Sequence, residues 1–82
     1  MLSRYSYIDQ ESNVWLCGKS AIHLFNIESG QKQRISNRLG NITCIEQINS
    51  EHFFIGTDKR IYLVKLENGN LKELSCGKLE MM

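Results

Sequence analysis

The chain has 82 residues, room for one domain with a thin core, since a domain of this size buries only about 60–65% of the surface its unfolded chain exposes. Ten Lys and Arg stand against nine Asp and Glu, a formal charge of +1, which excludes a global field able to steer nucleic acid or an acidic membrane surface. Hydrophobic residues at 41% and charged residues at 23% are those of a chain that folds. No apolar run approaches the ~20 residues that span a bilayer, and the start, Met1-Leu2-Ser3-Arg4-Tyr5, lacks the apolar segment of a secretory signal. As written, the chain reads as soluble and cytoplasmic.

In chain order, eight short runs rich in β-branched and aromatic residues are predicted as strands. Residues 4–8 open with Tyr5-Ser6-Tyr7-Ile8, and residues 14–17 (Val14-Trp15-Leu16-Cys17) stop at Gly18. Residues 21–27 close on the polar turn Glu28-Ser29-Gly30, and residues 31–36 follow. The second half repeats this punctuation: residues 42–48, residues 52–56 ending at Gly56, residues 60–66 closing on Glu67-Asn68-Gly69, then residues 70–75. Gly30 and Gly69 suit turn positions with positive φ, and Asn68-Gly69 is a strong hairpin signal. Gly18 and Gly56 mark a tight turn or a close backbone approach that excludes a side chain. A helix competes in two places, where Leu39, Ile42, Ile45 and Ile48 recur every third residue and at Leu71-Lys72-Glu73-Leu74. The correspondence between the halves favours strands there too. Residues 76–82 are expected as a frayed tail.

That correspondence is an internal repeat. Gly18 matches Gly56 at 38 residues (56 − 18), with Trp15 set against Phe53; after one inserted residue, Ile22/Ile61, Leu24/Leu63, Glu28/Glu67 and Gly30/Gly69 match at 39 (61 − 22). Repeat 1 spans about 4–38 and repeat 2 about 41–75. The expected fold is all-β: two four-stranded antiparallel meanders resembling consecutive β-propeller blades.

The residues that carry the repeat resemble a known family. Asp9-Gln10-Glu11-Ser12-Asn13-Val14-Trp15-Leu16-Cys17-Gly18 with Ile22-His23-Leu24-Phe25-Asn26-Ile27, and Phe53-Phe54-Ile55-Gly56-Thr57-Asp58-Lys59-Arg60-Ile61-Tyr62-Leu63, are similar to repeats of the two-component-regulator propeller. Lys19 stands where that family has Thr, and Ala21 and Arg60 where it has Gly. The resemblance implies part of an extracytoplasmic sensor of hybrid histidine kinases, with glycans as a ligand class. Two blades cannot close a ring. The chain is therefore expected to be a fragment of a larger propeller, a subunit that completes itself by oligomerising, or a two-sheet sandwich imitating blades.

No catalytic constellation is visible, and no cofactor motif: Gly18-Lys19-Ser20 lacks the upstream glycine of a phosphate-binding loop. Cys17, Cys44 and Cys76 lie 27 and 32 residues apart, no metal or redox spacing. Cys17 and Cys44 sit in apolar runs and are expected to be buried. His23 and His52 have no partner at ligand spacing, so no metal is expected. Asp9, Glu11, Glu46 and Glu51 read as solvated turn charges. Lys32 and Arg34 alternate on a strand toward solvent, where charges discourage edge pairing. The expected function is non-enzymatic binding of a glycan or protein ligand, with loops 18–21, 37–41 and 56–60 on one face and Trp15, Lys19, Arg38, Asp58, Lys59 and Arg60 as candidate contacts. The alternative is a self-assembling scaffold subunit. Expected partners are other blades, in a larger parent or in a homo-oligomer, with neither nucleic acid nor membrane contact.

Overall fold

A computed structural model describes residues 5–78. β1 (Tyr5–Ile8), β2 (Asn13–Cys17), β3 (Ala21–Asn26) and β4 (Lys32–Ser36) form sheet I; β5 (Ile42–Gln47), β6 (His52–Thr57), β7 (Arg60–Glu67) and β8 (Asn70–Lys78) form sheet II. Each sheet is antiparallel with its strands in chain order, so the two expected meanders are present. The turns follow local chemistry. Asn68 and Gly69 have φ of 51° and 75°, the two positive values a two-residue hairpin with the twist of its strands requires. Asn26 accepts from the N–H groups of Glu28 and Ser29, and Asn49 from those of Glu51 and His52, closing the turns after β3 and before β6. Opposite Gly56, the Cys44 sulfur lies 2.6 Å from where a Cβ would stand, the close approach expected of that glycine.

Neither competing helix exists among the described residues. The pairing of β5 with β6 shifts between Ile42 and Cys44, so Ile42 and Ile45, three apart, both reach the core. On β8, Leu74 is skipped where Val64 pairs Glu73 and Leu63 pairs Ser75, which leaves Leu74 exposed. The same shift at β5 turns Cys44 outward, against the expectation that it is buried. The expected tail also starts too early: β8 runs on to Lys78, and residues 79–82 lie outside the described residues.

Sheet II stacks on sheet I with β5 against β1 and β8 against β4. The strands run the same way, since the Tyr5 hydroxyl accepts from Ile45 N at 3.3 Å and the Tyr7 hydroxyl from Gln47 N at 3.1 Å. Alternation then sorts the side chains. Sheet I turns Trp15, Cys17, Ile22, Leu24 and Ile35 inward, and sheet II turns Ile45, Phe53, Ile55 and Val64 inward, with Ile42 completing one cluster. Trp15, Ile22, Phe53, Ile55 and Val64 are fully buried.

The register fixes which residues are equivalent. The pairs Tyr7–Trp15 and Trp15–Leu24 of sheet I recur as Glu46–Phe54 and Phe54–Leu63 of sheet II, every member 39 residues on (54 − 15). The match of Trp15 with Phe53 at 38 is thereby corrected: Phe53 faces Trp15 across the interface, and the equivalent of Trp15 is Phe54. A one-residue slip puts every side chain of a strand on the wrong face. The sheets are therefore repeats stacked back to front, and the inner face of sheet I corresponds to the outer face of sheet II.

Candidate functional site

β2 and β6 run toward one end of the stack, where the turns to β3 and β7 and the connection from β4 to β5 all lie. The segments 18–20, 37–41 and 58–59 are thus brought together, as the loop reading requires. Asn37 ties two of them: its amide donates to Gly18 O at 2.8 Å and Gly40 O at 2.9 Å, its Oδ1 accepts from Leu39 N, and its own N–H donates to Ser20 O. Thr57 closes the third, accepting from Lys59 N and Arg60 N. Tyr62 of sheet II donates its hydroxyl proton to Leu39 O at 3.3 Å, so the connection is held from both sheets.

On this frame Lys19, Arg38, Asp58, Lys59 and Arg60 are all exposed. Four cations and one carboxylate thus lie at this end, and none of the five forms an ion pair among the described residues. A chain of formal charge +1 therefore carries a local excess of positive charge at this end. The opposite end carries Asp9, Glu11, Glu28, Glu51 and Glu67 in and beside its turns, with Lys32 beside the turn after β3 and Lys65 paired to Glu67 at 3.4 Å, so acidic residues outnumber basic ones there. Arg38 also lines an open cleft between β4 and β8, with Arg34, Leu39 and Asn70 among its other walls. Asn37, which organises the end, escaped the sequence reading; an Asn three residues before Gly40 in a connecting segment was the available signal.

Trp15 departs from its candidate role. It is fully buried, and its indole N–H donates to the Asp9 carboxylate at 2.9 Å, so no face of the ring is free to stack on a sugar. Asp9 departs from its reading as a solvated turn charge. It is 6% exposed and also accepts from Glu11 N, Asn13 N and the Asn13 amide. Gln47 joins the two sheets at that end, accepting from Gln10 N at 2.7 Å and donating to Glu11 at 2.7 Å.

Among the described residues no group of three His, Cys, Asp or Glu is placed to hold a metal ion. Burial raises the Cys17 thiol to about 11, leaving it protonated and a poor nucleophile at neutral pH. Comparison with protein-family models, curated proteins and solved structures finds no match to this chain.

Proposed function

We infer that the chain is a non-enzymatic binding module of two blade-like repeats, as in a β-propeller, and that its loop-bearing end takes an anionic glycan. The observation that carries this reading is the clustering of Lys19, Arg38, Lys59 and Arg60, exposed and unpaired, on turns braced by Asn37 and Thr57. Carboxylate or sulfate groups would meet several cations on a braced frame, with little ordering cost to the backbone. The resemblance to sensor repeats supports the same ligand class. It makes the chain one segment of a sensing surface.

The test is an amide chemical-shift titration of the labelled protein with a sulfated uronate oligosaccharide, a neutral oligosaccharide and an acidic peptide in parallel. The reading expects shifts confined to residues 18–20, 37–41 and 57–60 with the sulfated glycan, weakening as salt is raised, and loss of binding in the double variant Lys59→Glu, Arg60→Glu. It is overturned by no shifts, by shifts elsewhere, or by an acidic peptide acting where the glycan does not.

A further inference from the structure

The outer faces of the stack carry an apolar pattern that the internal interface explains. On sheet I, Ile8, Val14, Leu16 and Phe25 point outward together, since Ile8 pairs Val14 and Val14 pairs Phe25. On sheet II, Cys44, Phe54, Ile61 and Leu63 do the same around Gly56, forming shallow apolar hollows. Ile8, Leu16, Phe25, Phe54 and Ile61 are 37–63% exposed. They make up most of the large exposed hydrophobics among the described residues and lie on these two faces.

The 39-residue equivalence says what each face is. The outer face of sheet II is built from the equivalents of Tyr5, Tyr7, Trp15, Cys17, Ile22 and Leu24, which inside the molecule meet sheet II. The outer face of sheet I carries the equivalents of Gln47, Phe53, Ile55 and Val64, which inside the molecule meet sheet I; Ser6, His23, Lys32 and Arg34 share that face, so its apolar part is the patch of Ile8, Val14, Leu16 and Phe25. The two free faces are thus the two halves of an interface the chain already makes once. We propose that a second copy of this chain docks head to tail, the outer face of its sheet I on the outer face of sheet II, repeating the internal stacking.

The repeated operation makes specific contacts. Phe54 takes the place of Trp15 and meets Val14 of the copy where Trp15 meets Phe53. Phe25 takes the place of Val64, so the ring lost at Val14 returns one strand over. Glu46 takes the place of Tyr7, which accepts the N–H of Gln47 on the edge strand β5. Its carboxylate is then placed to accept the N–H of Ile8 on the edge strand β1 of the copy, a charge-assisted bond where the internal one is neutral. Each contact covers apolar area or an edge that otherwise faces water. Because the faces differ, the contact is heterologous and extends to a ring or a filament.

This inference stands apart from the ligand reading of the loop end, and its test uses no ligand. Sedimentation velocity of the full chain across a wide concentration range is expected to show self-association. Phe54→Glu and Phe25→Glu, both at exposed positions, are each expected to weaken it at least about tenfold by placing a charge in an apolar contact. Circular dichroism and Trp15 emission check that each variant is folded. Mixed in equal amounts, the two variants are expected to give a discrete heterodimer, since each keeps one intact face and the pair can join only once. The proposal is overturned by a monomeric wild-type chain. A single variant that assembles as the wild type does, or a folded mixture without heterodimer, also overturns it; the former would indicate like faces pairing.

Discussion

The rings of Trp15 and Phe53 meet with centroids 4.7 Å apart and planes tilted by 54°, one from the second strand of each sheet. Both are fully buried, so this tilted pair is the centre of the contact that makes two small sheets one body. Aromatic pairs of this geometry contribute about 0.5–1.5 kcal/mol beyond the area they bury.

Replacing either ring therefore loses two things at once. Trp15→Ala and Phe53→Ala are each expected to cost about 3–5 kcal/mol from lost burial and the cavity left behind. In a domain this small, that approaches total stability. Urea unfolding followed by circular dichroism measures it, and Trp15→Phe and Phe53→Leu provide milder members of a double-mutant cycle. Coupling near zero would show that the two sheets do not depend on this pair.

Asp9 gives a second prediction, because its carboxylate is the acceptor for Trp15 Nε1, Asn13 Nδ2 and the N–H groups of Glu11 and Asn13. Asp9→Ala strands a buried indole N–H and opens the turn into β2, at a cost of about 2–4 kcal/mol. Asp9→Asn keeps one acceptor oxygen and is expected to cost less than half of that. Equal effects from the two substitutions in urea unfolding would mean that the acceptor role is not what stabilises the turn.

The strands were legible because each is a short run bounded by turn residues, and Asn68-Gly69 forms the hairpin its composition implies. Faces were harder to read. Trp15 and Phe53 look equivalent because both lead into a glycine, yet facing sheets need apolar residues on opposite sides of consecutive repeats. That places Phe53 inward and leaves Phe54 as the true equivalent of Trp15. The register shift at Ile42/Cys44 also converted a period of two into a period of three, whereas on β8 the shift leaves Leu74, three residues after Leu71, exposed. At the candidate site the charged residues were legible from their turns, whereas the bracing by Asn37 and the burial of Asp9 depend on partners brought together by folding.

Asn37 yields a third prediction, on the loop end alone. Its amide is the shared donor to Gly18 O and Gly40 O and its Oδ1 accepts from Leu39 N, so Asn37→Ala removes three bonds from exposed or half-buried backbone groups. The expected loss is about 1–2 kcal/mol globally. The sharper effect is local: amide exchange at residues 18–20 and 37–41 should accelerate while the β6 and β7 amides keep their protection. Uniform acceleration across both sheets would place Asn37 in the global fold instead.

The cysteines separate by burial, which gives a chemical and a pH prediction. Cys44 and Cys76 are exposed, whereas Cys17 is 4% exposed and desolvation raises its thiol from 9.0 to about 11. Two thiols are expected to react promptly with an aromatic disulfide reagent at mild alkaline pH, and the third only on unfolding. Because the folded thiol holds its proton more tightly than the unfolded one, its contribution is complete below pH 9 and is lost as pH rises toward 11. Over that window the wild-type chain should lose up to ~2 kcal/mol more than Cys17→Ala, which lacks the thiol. The difference between the two urea midpoints at pH 8 and pH 11 reads it. Parallel pH profiles for the two proteins would show that Cys17 titrates as freely folded as unfolded.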